Sequence, residues 1–302
     1  MAWRGFVKWR IATIKKLFLG IRSKLTSLKL TSLIGGRYIV LSISDLLIYL
    51  AILLFIFLLS WFSSPVQAET AGSFSTAKEW AEDVYGNGRV TFYCGCSYSA
   101  SKVVDKESCG YVPRRPFTRS GKINKRANRA EWEHVLPASI MGKGLTCWGK
   151  GRGKFPQCVK SNGKLISGRA CCQKVNKTFR RAHNDLVNLV PAIGEINADR
   201  SNHRYGIVEG EPRKYGLCDF EFRNRVAEPR IGVRGNIARI QLYLLEKYGS
   251  DLGFSFSADR LEMLQEWDDV DPVSEVEIKK NIKLCRKQGF GNPLVSDCVE
   301  VN

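Results

Sequence analysis

The sequence predicts an α+β domain over residues 69–302, mainly helical with short strands and stapled by disulfides. Three observations carry this expectation. Apolar residues recur at helical spacing in several segments, whereas strand-like runs are short. All ten cysteines lie beyond residue 93. The most apolar run, residues 46–62, follows a basic leader and sets residues 1–68 apart from the rest.

Residues 1–68 carry nine Lys or Arg against the single acid Asp45. Positive residues stay on the cytoplasmic side of an apolar segment. After the run, Val66 and Ala68 place small residues where a signal cleavage site needs them. The reading is an export signal with a long basic leader. The run is about as long as the shortest membrane spans, so an uncleaved anchor in the inner membrane is the alternative. Either way the body reaches a periplasmic or secreted location.

An even number of cysteines, all placed after the signal, suits an oxidising compartment and up to five disulfides. Cys147 and Cys158 are expected to close a local loop. The adjacent Cys171 and Cys172 are expected to bond to different partners. A zinc site is the competing use, but no C-x₂-C pair follows Cys94-Gly95-Cys96 at finger spacing. The net charge is +18. Beyond residue 68 the chain still has 38 basic against 28 acidic residues. That excess fits a polyanionic partner, either nucleic acid or an anionic membrane.

In chain order, residues 77–85 read as an amphipathic helix with Ala77, Trp80, Ala81 and Val84 on one face. Residues 90–94 read as a strand. Residues 112–130 form a basic connector without an acid, holding Arg114, Arg115, Arg119, Arg126 and Arg129. It leads into Glu133-His134 and reads as a phosphate-binding rim. Residues 142–170 form a long Gly- and Lys/Arg-rich loop closed by cysteines. Residues 191–202 read as a helix started by Pro191, with Ala192, Ile193 and Ile196 on one face and Asn197 directed toward Glu133. Residues 205–230 are loop-rich. Three further helices follow, at 234–248 with Arg239 on the polar face, at 257–268 with Leu261, Leu264 and Trp267 apolar, and at 273–288. No linker or repeat interrupts 75–295, so residues 69–302 form one domain, expected to be a monomer.

The chemistry centres on Glu133 and His134. Phosphodiester hydrolysis with a divalent metal needs an oxygen ligand for a hard cation and a base beside it. A neutral imidazole can take a proton near pH 7. The bland reading is a surface Glu-His pair on a strand end, but only three histidines occur in the chain and this one follows a basic run. The surrounding string is RANRAEWEH (126–134). With it come YCGC (93–96), ESCGY (107–111), Cys147-Trp148, DLVNLVPAIGEIN (185–197), RSN (200–202) and RGNIARIQLYL (234–244). In this order the motifs resemble the bacterial endonuclease I family of secreted and periplasmic nucleases.

That resemblance implies a ββα-metal (His-Me finger) core holding one Mg²⁺ per site, with Ca²⁺ or Mn²⁺ as substitutes. His134 would be the general base, and Glu133 and Asn197 the protein ligands. A backbone carbonyl from residues 181–184 would orient His134. The resemblance also places a transition-state arginine in the loop after Cys147-Trp148, giving Arg152 with Lys154 second. Arg126 and Arg129 would touch nucleic acid or brace the active-site loop. Asp185 and Asn188 are expected to tie down backbone groups, and His183 to be structural rather than catalytic. The implied activity is cleavage of DNA and RNA with little sequence preference, leaving 5′-phosphate ends. The alternatives are an inert nucleic-acid-binding envelope protein and a zinc-dependent hydrolase, for which the H-E-x-x-H pattern is absent.

Overall fold

The computed structural model describes residues 29–34, 37–42, 47–55, 69–86, 88–210 and 212–298. The chain divides into two compact units, Met1–Gln67 and Ala68–Asn302. In the first, β1 (Lys29–Ile34) pairs antiparallel with β2 (Arg37–Ser42). Residues 47–55 are helical, and Leu50, Leu53 and Leu54 are exposed. They are the first half of the apolar run. The second half, Val66, Ala68 and most of the basic leader lie outside the described residues. No described helix is long and apolar enough to cross a membrane.

The second unit opens with α1 (Phe74–Tyr85), capped by Ser73, whose hydroxyl accepts from the Thr76 amide. A capping oxygen of this kind satisfies one of the helix's orphan donors. The helix buries Ala77, Ala81 and Val84, as their spacing predicts. Residues 90–94 are not a strand. Val90 makes one bridge to Ser97, and the chain then turns at Gly95, where φ is +74°. The two cysteines that flank the turn have different partners: Cys94 bonds Cys218 and Cys96 bonds Cys109.

The centre of the unit is a two-stranded ribbon. β3 (Ala130–His134) runs antiparallel to β4 (Leu189–Ile193), with Glu133 opposite Val190 and His134 opposite Leu189. Every residue of β4 is buried. The helix expected from Pro191 therefore begins later, as α5 (Gly194–Arg200), directly after the strand. Pro191 sits inside β4 because a two-stranded ribbon has a free edge, where a missing N–H costs nothing. Its carbonyl accepts from the Phe92 amide at 2.7 Å. Between the strands lie α2 (Ala138–Gly142), α3 (Gly168–Val175) and α4 (Lys177–Asn184). A small sheet in the order β5-β7-β6 follows α5, built from β5 (Arg204–Tyr205), β6 (Phe220–Arg223) and β7 (Val226–Pro229).

Three helices close the unit: α6 (Arg234–Leu252), α7 (Ala258–Val270) and α8 (Glu275–Gln288). Ile237, Ile240 and Leu244 of α6 are buried, as their period predicts, and so are Leu264 and Trp267 of α7. Leu261 is 38% exposed instead. Arg239 was expected on a solvated face and is 1% exposed. Acidic residues of α7 and α8 cover it: its guanidinium reaches Asp268 Oδ1 at 2.5 Å and Glu277 Oε2 at 2.6 Å. A buried charge of this size persists only when paired.

All ten cysteines are paired. Cys147 and Cys158 do not join each other. Cys147 bonds Cys172 and Cys158 bonds Cys171, so the adjacent cysteines have different partners, as expected. Both lie on α3, and the two bridges form nested rings that tie the long 147–167 loop to that short helix. The fifth bridge, Cys285–Cys298, fastens the segment after α8.

Candidate active site

Glu133 and His134 end β3 and are both buried. The end is locked by Asn188, whose Oδ1 accepts from the Leu136 amide at 2.7 Å and whose Nδ2 donates to the Leu136 carbonyl at 3.0 Å. Asp185 is fully buried and does comparable work one turn earlier. Its Oδ2 accepts from the hydroxyls of Tyr243 and Tyr248, each at 2.8 Å, and its Oδ1 from the Val187 amide at 3.0 Å. Both residues tie the scaffold together.

The hydrogen bonds of His134 fix its tautomer. A carbonyl oxygen only accepts, so the 2.7 Å contact of His134 Nε2 with the His183 carbonyl makes Nε2 the donor. In the neutral ring the lone pair then sits on Nδ1. Arg169 Nη2, on α3, donates to that nitrogen at 3.2 Å. Burial holds the His134 pKa well below its ordinary value, and the nearby His183 and Arg169 push the same way. The ring is neutral at pH 7.

His183 is fully buried. Arg169 Nε donates to its Nε2 at 2.7 Å, so its Nδ1 carries the proton and donates to Asn184 Oδ1 at 3.0 Å. Its side chain thus holds Arg169, while its carbonyl orients His134. Burial, with Arg169 adding to it and Asn184 opposing, brings its pKa down to about 4. An unfolded histidine titrates near about 6.5. The neutral ring therefore contributes stability that is complete above the unfolded pKa and is lost as pH falls toward the folded one. Denaturant melts at pH 7 and pH 4.5 are expected to differ by a His183 share of about 3 kcal/mol at most. His183→Gln should show a visibly flatter acid limb, and an unchanged limb would refute the assignment.

Glu133 is held by two donors on one oxygen. Arg200 Nη1 reaches Oε1 at 2.8 Å and the Tyr93 hydroxyl reaches it at 3.2 Å. Burial raises the Glu133 pKa, with Arg200 pulling against it. Arg200 is itself 1% exposed and also donates to the His134 carbonyl at 2.7 Å and to the Val135 carbonyl. One guanidinium thus ties the end of α5 to three successive residues of the β3 terminus. On the same helix, Asn197 Nδ2 lies 3.5 Å from the Trp132 carbonyl.

This donor set fits a hard divalent cation. Among the described residues Glu133 Oε2 has no side-chain partner, and the Asn197 amide nitrogen faces Trp132, leaving its Oδ1 for another ligand. Two oxygens with room for water suit such an ion. The thiolates of a zinc site are consumed, since all ten cysteines are in disulfides. Among the described residues, no group of three or more His, Cys, Asp or Glu could hold a metal.

The expected phosphate contacts divide. Arg126 and Arg129 both bind Glu131, at 2.5 and 2.7 Å, and brace the strand. Arg114 pairs with Asp199 at 2.6 Å. Arg115 is mostly exposed and only 4.0 Å from the same carboxylate. Arg119 and Lys154 are exposed. Arg152 turns back on its own loop, donating to the Gly149 carbonyl at 2.9 Å. Arg169, not Arg152, is the arginine brought against His134.

With this geometry in place, the comparisons with known proteins are decisive. A sequence model of the Endonuclease I family matches residues 73–299. The chain belongs to that family. Among its endonuclease I relatives, an "Extracellular deoxyribonuclease" of Aeromonas hydrophila is 37% identical over 239 residues, covering 77% of this chain and 92% of the relative. A "Periplasmic deoxyribonuclease" of the same organism is 37% identical over 240 residues, covering 77% and 89%. An "Endonuclease-1" of Buchnera aphidicola is 34% identical over 237 residues, covering 77% and 84%.

Sequence reasoning missed Arg200, Arg169 and the anchoring role of Tyr93 in this endonuclease I chain. Arg200 was within reach, because it lies three residues after Asn197 and so on the same helix face. Arg169 had no such signal. Its position depends on which cysteines pair.

Proposed function

We propose that the protein is an exported endonuclease that uses a divalent metal to hydrolyse phosphodiester bonds of DNA, and of RNA, with little sequence preference and 5′-phosphate products. The reading rests on one observation above all: Glu133 and His134 end one strand of the ribbon, Asn197 lies on the helix that continues the other, and His134 presents Nδ1 as a base. A two-stranded ribbon followed directly by a helix supports a ββα-metal reading. The relatives' names support a nuclease acting on DNA, and five disulfides support an oxidising compartment.

In this mechanism His134 Nδ1 takes a proton from the attacking water. The Nε2 bond to the His183 carbonyl keeps the imidazole in the required tautomer and spreads the charge it gains. Glu133 and Asn197 would hold the ion, with Arg200 and Tyr93 fixing the carboxylate. Bound there, a divalent ion would offset charge on the phosphorane and stabilise the leaving 3′ oxygen. Arg169 is the cation for the scissile phosphate. A phosphate oxygen is a stronger acceptor than a neutral imidazole, so substrate would draw the guanidinium off Nδ1 and free the base. Contacts to phosphate position a strand without reading its sequence.

The test is cleavage of supercoiled plasmid by oxidised protein in Mg²⁺ or in EDTA. Nicking and linearisation are expected only with the metal, and equal activity in EDTA would reject the reading. Arg169→Ala should lower the rate by about 10²–10³-fold, the range for removing one transition-state donor. Arg152→Ala should stay within a few fold of wild type. The reverse order would return the phosphate role to Arg152.

A further inference from the structure

Outside the site, residues 116–124 form a short hairpin. Phe117 and Ile123 face each other across it, and the Thr118 amide donates to the Lys122 carbonyl at 2.8 Å. Gly121, with φ at +76°, makes the turn. Directly opposed residues on a hairpin share one face. Here that face is apolar and open: Phe117 is 59% and Ile123 66% exposed. Arg119 lies at the tip of the hairpin and Lys122, opposite Thr118, on its reverse face, and among the described residues no carboxylate pairs with either.

The base of the hairpin is fastened to the active-site helix. Glu195 of α5 is buried and accepts from the backbone amides of Arg114 at 3.0 Å and Arg115 at 2.7 Å. Asn197 lies two residues further along the same helix. An exposed aromatic beside unpaired cations is the composition of a stacking platform for nucleic-acid strands. It is a poor membrane anchor, since one Phe and one Ile bury little apolar area.

We propose that this hairpin is a base-stacking finger: Phe117 stacks on a base of the bound strand while Arg119 and Lys122 take flanking phosphates. The enzyme would then hold unpaired or frayed strands more tightly than intact duplex. The inference rests on the nuclease reading above and adds a subsite to it.

The experiment measures binding in EDTA by fluorescence anisotropy at fixed salt. Its probes are a thymidine oligonucleotide and an abasic strand with the same number of phosphates. Phe117→Ala should weaken binding to the thymidine strand by about thirtyfold, the middle of the range for one base–aromatic stack. It should leave the abasic strand unchanged, and Phe117→Trp should bind both like wild type. Far-UV circular dichroism controls for folding. Equal weakening on both strands, or none, would overturn the finger. So would loss of binding to phosphatidylglycerol vesicles with oligonucleotide affinity intact. Plasmid cleavage separates the two failures. If wild type cuts in Mg²⁺ and Phe117→Ala binds like wild type, only the finger falls; if wild type neither cuts nor binds, both readings fall.

Discussion

His134→Ala is expected to abolish most plasmid cleavage while leaving the fold and DNA binding in place. In the proposed mechanism the Nδ1 lone pair, released by Arg169 when substrate binds, takes the proton of the attacking water, and its loss should cost about 10²–10⁴-fold. The contrast with His183→Ala is the informative part. His134 takes its orientation from the His183 main-chain carbonyl, which the substitution leaves in place. His183→Ala removes a buried ring and loosens Arg169, so it should lower stability and rate together yet remain active. Cleavage rates, with circular dichroism and denaturant melts on the same samples, distinguish these outcomes. A folded, inactive His183→Ala beside an active His134→Ala would mean that the base is misassigned.

Arg200→Met is expected to have the largest effect on stability. It strips a fully buried carboxylate of its cation and leaves the His134 and Val135 carbonyls without their donor. Breaking a buried pair from one side costs about 3–5 kcal/mol, because the remaining charge is left uncompensated. Removing the other partner as well should recover much of that cost. Arg200→Met with Glu133→Gln is therefore expected to be more stable than Arg200→Met alone, though inactive. Urea denaturation of the two singles and the double measures it. Strictly additive losses would show that Arg200 acts through its backbone contacts rather than through Glu133.

The sequence made the centre of the site legible because its parts are local. Glu133 and His134 are neighbours, and Asn197 lies on a helix whose start could be placed within a few residues. The error over Pro191 came from reading proline as a helix opener when an edge position in a ribbon tolerates it equally well. Arg239 was misplaced for a different reason. Amphipathic periodicity assigns its polar face to solvent, and nothing in α6 itself shows that Asp268 and Glu277 will cover that face. Arg169 was out of reach because its position is set by bonds between residues far apart in the chain. A Cys147–Cys158 bridge would take both loop cysteines away from Cys171 and Cys172 and leave α3 untethered.

Those two bonds also bear on how the enzyme matures. Cys171 and Cys172 are one residue apart, so before α3 forms either thiol can reach Cys147 or Cys158 with nearly the same loop length. Chain entropy scarcely distinguishes native from swapped pairing. Only the completed helix, which points successive side chains in different directions, selects one. The native pattern therefore cannot be reached reliably by irreversible oxidation. The first bonds must be exchangeable until the helix is in place, through attack of one thiolate on a neighbouring bridge. A molecule caught with the partners exchanged would carry five disulfides and the same mass as the active form. Its Arg169 would stand off the site, making it an inactive isomer that mass alone cannot detect.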